Sequence, residues 1–285
     1  MNYVFINCAV FDKGGYAMIK GAYNGIKKLD PESKFDIIVH KRNYENCEIC
    51  DPKLYPSEIE NSFKWADVAL YIGGIGHSGS MTKTFLDYTK QFKLPFVWMS
   101  VSFLEGKITK EDLLGTYVIA RGERSSKIVE NITGITPLIS PDMSFLIEPK
   151  KWEGPQYINA FTTHLRKPIE PMYDKCKNGL SIQIIWKLPK DEVIYEPELP
   201  IKNIYVSVEE NFGLIESVEE VHTARYQAAC ATILAGKDPQ LYVEMSDKYK
   251  DLLDLKGTPK NELINQTMKA CNYAVNIAKE KRKNG

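Results

Sequence analysis

The chain of 285 residues is predicted to be an α/β protein with two Rossmann-like domains facing a cleft, and three observations predict it. Short apolar runs of strand length alternate with stretches whose apolar residues recur at helical spacing. The alternation restarts after a charged, proline-bearing stretch, Glu148 to Pro155, which sets domains at 1–150 and 151–285. Glycines follow the ends of several apolar runs, where such sheets bring backbone close to a ligand.

Each element follows in order. Tyr3 to Asn7 is a strand; Asp12-Lys-Gly-Gly15 is a glycine turn; Ala17, Met18, Ala22 and Ile26 then fall on one helical face. Phe35 to Val39 is a second strand, and Ser57 with Glu60 reads as a capping box for a helix toward Trp65. Val68 to Ile72 is apolar without interruption, as a strand buried on both faces of a parallel sheet must be. Phe96 to Met99 and Tyr117 to Ala120 are further strands, with a helical turn between them at Thr109 to Leu114, and Leu138 to Leu146 is a last strand of this domain. In the second domain Tyr157 to Phe161, Ser181 to Ile185 and Asn203 to Ser207 read as strands, and Ala224 to Ala235 and Lys260 to Lys281 as helices. Gly236 and Pro239 supply the punctuation that ends the first of these helices.

Composition excludes several classes. Apolar residues make up 44% and charged residues 26% of the chain, so neither a disordered nor a fibrous protein fits. Basic and acidic residues balance at 37 each, which argues against a broadly basic nucleic-acid coat. No apolar stretch reaches membrane-spanning length, and no cationic flank precedes the apolar start, so a cytoplasmic protein is expected. The six cysteines form no matched pairs and are expected to be reduced thiols. Cys47-Glu-Ile-Cys50 lacks the two further ligands of a zinc site and the strand-to-helix turn of a redox motif, and reads as structural.

Candidate chemistry lies at the ends of the apolar runs. The glycine sites are Gly14-Gly15, Gly73-Gly74 and the Arg121-Gly122 turn; none fits a dinucleotide fingerprint or a P-loop. Arg121 and Arg225 each stand where a strand gives way to a helix, one per domain. A cation at a helix N-terminus is opposed by the dipole unless an anion accompanies it, so both are candidates to bind phosphate or carboxylate. Of four histidines, His77 follows a glycine turn and His222 stands just before Arg225; both are candidate proton-transfer groups, with Asp12 a candidate base, while His40 and His164 read as structural. No cluster has metal-ligand spacing, and no metal or cofactor is expected.

The order of these segments resembles the polysaccharide pyruvyl transferase family. Asp12-Lys-Gly-Gly15-Tyr-Ala17 is similar to that family's opening Asn-x-Gly-Asp turn, and Ala66 to Gly74 to its strand followed by glycines. Arg121-Gly-Glu-Arg-Ser125 is similar to its Arg-Asp-x-x-Ser turn, Asp142-Met-Ser-Phe145 to its Asp-Pro-x-Phe, and Thr223-Ala-Arg-Tyr-Gln227 to its Ser-x-Arg-Leu-His, with Lys248 matching its downstream lysine. The resemblance implies two Rossmann-like domains in the manner of GT-B glycosyltransferases, with the acceptor on the N-terminal and the donor on the C-terminal domain. It implies a donor held by Gly14, Gly15, Gly73, Gly74, Arg121, Ser125, Arg225, Gln227 and Lys248. Two positions depart from it. Gly15 replaces the family's aspartate, and Gln227 stands where the family's histidine would supply a proton, which an amide cannot do.

The expected function is a metal-independent transferase moving a group from a phosphate-bearing donor, phosphoenolpyruvate or a nucleotide sugar, to a hydroxyl of a glycan. The alternative is a GT-B glycosyltransferase with a nucleotide-sugar donor, its acceptor a glycan or a hydroxylated base in DNA. A non-catalytic binding module is the third reading.

Overall fold

A computed structural model describes residues 1–8, 13–40, 47–50, 52–162, 181–184, 202–204, 206–243 and 245–284. In the first half β1 (Asn2–Cys8) and α1 (Lys13–Leu29) lead to β2 (Lys34–His40), β3 (Lys53–Tyr55), α2 (Ile59–Trp65) and β4 (Val68–Ile72). There follow β5 (Ile75–Gly76), α3 (Ser80–Gln91), β6 (Phe96–Phe103), α4 (Lys110–Leu113), β7 (Tyr117–Ala120), α5 (Glu123–Thr133), β8 (Leu138–Ile139) and a 3-10 turn, Met143–Leu146. These strands form a parallel sheet ordered β3-β2-β1-β4-β6-β7-β8, with β5 beside β6.

Side-chain alternation along the strands explains why this sheet is covered on both faces. Tyr3, Phe5, Val68, Leu70, Ile72, Val97 and Met99 join α1 in one core cluster, while Val4, Ile6, Ala69, Tyr71, Phe96 and Trp98 join α2 and α3 in another. A strand with both alternating sets apolar is stable only between two layers. The continuous apolar runs read from the sequence are this sandwich.

The second sheet is built from β9 (Asn159–Thr162), β10 (Ser181–Ile184), β11 (Lys202–Ile204), β12 (Glu220–Thr223) and β13 (Gln240–Leu241), ordered β11-β10-β9-β12-β13 and parallel. Its described helices are α6 (Val208–Ser217), α7 (Tyr226–Leu234) and α8 (Asp247–Leu253). The last helix, α9 (Lys260–Asn284), follows them in sequence yet packs on α1, β4 and β6 of the first sheet. Arg282 there pairs with Asp67 at 3.0 Å, and Tyr273 meets Tyr117 edge-on.

Two local expectations are corrected. The capping box at Ser57 and Glu60 does not form: α2 begins at Ile59 after Glu58, whose carboxylate instead accepts from the Leu54 amide at 2.7 Å. The strand expected through Leu146 ends at Ile139, because Pro141 has no N–H for a ladder and Asp142 caps the 3-10 turn by accepting from the Ser144 amide at 2.9 Å. The boxes that do form are Thr109 with Asp112 and Ser207 with Glu210.

Candidate functional site

The two sheets meet where the carboxyl end of β7 touches the start of α7, and the meeting is organised by Arg121. Strand β6 runs past its expected end at Met99 and shifts register between Met99 and Val101. At that shift Ser100 takes a left-handed conformation, φ 56°, uncommon for any residue but glycine, and its carbonyl accepts from Arg121 Nε at 3.0 Å. Asp142 lies 3.3 Å from the same nitrogen, and the guanidinium stands 4.9 Å from the ring centre of Tyr226, the first residue of α7. Only 2% of the Arg121 side chain is exposed. Its charge is paired with Asp142 inside the fold.

The N-terminus of α5, expected to receive a ligand anion, is occupied by the protein's own carboxylate. Asp251 of α8 accepts from the Arg124 amide at 3.1 Å and from the Arg124 guanidinium at 3.0 Å. A Cβ on Gly122 would stand 2.4 Å from that carboxyl carbon, so glycine here makes room for Asp251. Ser125, assigned to donor binding, is buried and its hydroxyl accepts from the Phe103 amide at 3.2 Å. A cavity of about 430 Å³ opens beside Arg121 and Gly122, its charged wall made of Glu123, Lys269 and the Arg124-paired Asp251 and Asp254.

The second sheet's side of the seam is different. Arg225 occupies the N-cap of α7 in extended conformation, its amide donating to Thr223 Oγ1 at 2.8 Å. A guanidinium has no acceptor atom, so this N-cap side chain offers nothing to the first-turn N–H groups of α7. Lys248, from the first turn of α8, brings Nζ to 4.8 Å from the Tyr226 ring and 5.1 Å from the Tyr249 ring. Burial, and then the Arg121 charge, lower its pKa to about 8. Tyr226 and Tyr249 meet edge-on at 5.4 Å, and the charge of Arg225 reaches the Tyr249 phenol. Gln227 is the second residue of α7 and half-buried. Arg121 and Lys248, far apart in sequence, are thus brought to Tyr226, which Arg225 and Gln227 flank in the chain.

Other expected residues sit elsewhere. Gly14 and Gly15 are inside the first turn of α1 and not in a turn before it; Asp12 lies outside the described residues. Gly73 and Gly74 have positive φ, but a Cβ on Gly73 would stand 2.3 Å from Met18 Sδ and 3.1 Å from Arg121, so the close approach there is made by the protein itself. His77 is exposed, its Nδ1 3.1 Å from the Ile75 carbonyl. His222, the other candidate histidine, is buried. It is 1% exposed, stacks on Phe161, and has Tyr242 at 3.0 Å from one ring nitrogen and Glu220 at 3.1 Å from the other.

Sequence reasoning assigned no role to Tyr226, Ser100, Asp251 or Lys13. Lys13 begins α1, is buried, and donates to the Val206 carbonyl just before α6, tying the two halves; burial lowers its pKa to about 7. A lysine at the dipole-disfavoured end of a helix was the available signal. For Ser100 it was a polar residue inside an apolar run, and for Tyr226 and Asp251 there was none.

No known family profile matches the chain, and no curated protein sequence does. Solved structures are similar over nearly its whole length. A UDP-N-acetylglucosamine 2-epimerase from Methanocaldococcus jannaschii, solved with UDP-GlcNAc and UDP, matches with a TM-score of 0.58 at 12% identity, covering 98% of this chain and 100% of that one. A protein described as a UDP-N-acetylglucosamine 2-epimerase from Listeria monocytogenes matches with a TM-score of 0.58 at 10% identity, covering 95% and 88%. The glycosyltransferase SnogD from Streptomyces nogalater matches with a TM-score of 0.51 at 10% identity, covering 99% and 95%. The fold is therefore GT-B: two Rossmann-like units with their strand ends turned to a common seam. No helix among the described residues is long and apolar enough to cross a membrane.

Proposed function

We propose that the chain is a GT-B glycosyltransferase that takes a nucleotide-sugar donor and transfers its sugar to a glycan hydroxyl. One observation carries the reading: Lys248 and the arginine-capped start of α7 converge on Tyr226 where the two sheets meet. In this reading the donor diphosphate is held there, with first-turn N–H groups and Lys248 taking the charge that develops as the bond from sugar carbon to phosphate oxygen breaks. The acceptor oxygen forms the new bond to that carbon and gives its proton to a base, for which Asp12 and the exposed His77 are the candidates. The nearby solved folds support a sugar-nucleotide ligand, since one holds UDP-GlcNAc and UDP.

Pyruvyl transfer is the second reading, favoured by the motif order that puts Arg121, Arg225 and Lys248 in one place. Gln227 at the position of the expected acid weighs against it. Thermal melts with UDP, GDP, CMP and phosphoenolpyruvate separate the two, because a ligand at about 100 times its Kd adds about 2.7 kcal/mol of stability. Stabilisation by a nucleotide alone is expected. Stabilisation by phosphoenolpyruvate alone transfers the assignment to pyruvyl transfer, and none by any of the four leaves the binding-module reading.

A further inference from the structure

The cavity of about 430 Å³ beside Arg121 opens at the carboxyl ends of β7 and β8, between the first sheet and helices α8 and α9. Most of its charges are matched within the protein: Arg121 pairs with Asp142, and Arg124 with both Asp251 and Asp254. Glu123 and Lys269, of opposite sign, complete the charged wall, and Gln266 adds an amide. Leu138, Pro141 and Leu255 make the apolar wall. Asp251 is 2% exposed; its Oδ1 accepts from Arg124, while Oδ2 has no hydrogen-bond partner. A Cβ on Gly122, which also lines the cavity, would stand 2.6 Å from that oxygen, so the unpaired acceptor lies at the inner end of the cavity. A buried acceptor without a donor is costly, and a ligand that brings a hydroxyl removes the cost.

We propose that this cavity binds an uncharged sugar, the acceptor of the proposed transfer. A wall balanced in charge has no call for an anion or a cation; it suits a ligand that donates and accepts in equal measure. Its carboxylates accept from hydroxyls, while Lys269 and the Gln266 amide donate to them. A pyranose carries hydroxyls around its rim and C–H groups on its faces, the latter matching Leu138, Pro141 and Leu255. The volume lies in the range of roughly 300–1,000 Å³ of small-molecule sites. Asp251 follows Lys248 by three residues on α8, about 4.5 Å along the axis and on a neighbouring face, so a sugar here lies beside the cation assigned to the donor diphosphate. Arg121 joins the two places, lining the cavity and standing 4.9 Å from the Tyr226 ring centre. Sugar binding here stands apart from the glycosyltransferase reading; the sugar's role as acceptor rests on it.

Saturation-transfer NMR on the folded full-length protein tests the site, with glucose, galactose and N-acetylglucosamine as probes. At least one is expected to bind with a Kd of about 1–10 mM, as a small ligand held by a few hydrogen bonds does. Asp254→Asn, at an exposed position, should weaken that binding by about fivefold or more. Gln266→Trp, which fills the cavity from α9, should weaken it by about tenfold or more, and both variants should melt as the wild type does. Lys248→Met should leave sugar binding unchanged. No binding of any probe at about 50 mM overturns the proposal, as does binding that survives both cavity variants. Binding that UDP competes away and Lys248→Met abolishes puts the sugar in the donor site and overturns it too. Asp254-dependent sugar binding in a protein that ignores UDP, GDP and CMP removes the glycosyltransferase reading and leaves the sugar site standing.

Discussion

Lys248 decides more of the proposed chemistry than any other side chain at the seam. Its folded pKa of about 8 lies below the ordinary lysine value of 10.5, so the folded protein loses this proton before the unfolded chain does. Sign follows from linkage: the group costs stability below about pH 8, and the cost is relieved between about pH 8 and 10.5. Lys248→Met should therefore raise the melting temperature of the free protein at pH 7 by about 2–4 °C for each kcal/mol relieved, and flatten its rise between those pH values. Scanning calorimetry across pH checks both. The same substitution should weaken nucleotide binding by about ten- to a hundredfold, a charge-assisted hydrogen bond being worth ~1.5–3 kcal/mol. A bound phosphate neutralises the repulsion from Arg121 and draws the proton back, so wild-type affinity should fall as pH rises through 8, with proton uptake on binding. Titration calorimetry in buffers of different ionisation enthalpy detects that uptake. Arg225→Ala should weaken binding by a similar factor, though Arg225 is buried and its removal also leaves a void, which makes Lys248 the cleaner probe.

Among the elements, α1 is the one on which the two halves converge, and it approaches the 3-10 turn so closely that only glycine fits. A Cβ on Gly21 would stand 1.9 Å from the Met143 carbonyl oxygen. Gly21→Ala should cost about 1–3 kcal/mol in urea unfolding, because the backbone must move and the gain in helix propensity is smaller. Gly213→Ala, whose Cβ would meet the Lys150 carbonyl at 1.7 Å, should behave alike where α6 passes the segment joining the two sheets. At α5 the Asp251 carboxylate does the work of a cap, and Asp251→Ala should cost about 1 kcal/mol while leaving nucleotide affinity unchanged. A loss of affinity in that variant would return the ligand to the α5 side.

For the whole molecule, the last helix follows the second sheet in sequence yet covers a face of the first. Leu263, Cys271, Ala274, Val275 and Ala278 of α9 are buried and share the core cluster of the first sheet. Truncation before Lys260 uncovers that face, and the shortened chain should lose its cooperative melt and aggregate. Arg282→Ala removes only a half-exposed ion pair and should cost less than about 1 kcal/mol. Equal melting of the truncated and full-length chains would show that the helix is an appendage.

The α/β class, the strands Val68 to Ile72 and Phe96 onward, and the helix ended by Gly236 were legible because they follow from local periodicity and punctuation. The places of Arg121 and Arg225 where a strand gives way to a helix were legible in the same way. What surrounds each of them was not. Whether a helix N-terminus awaits a ligand depends on what else reaches it, and Asp251, which fills the one at α5, stands 127 residues from the amide it accepts from. The burial of His222 was likewise not legible, since its partners Tyr242 and Phe161 come from neighbouring strands and loops of the sheet. Periodicity is a property of adjacent residues and is written in the chain. Charge compensation is a property of distances in space, and only the tertiary structure brought Tyr226 against Arg121 and Lys248, and Asp251 against Arg124.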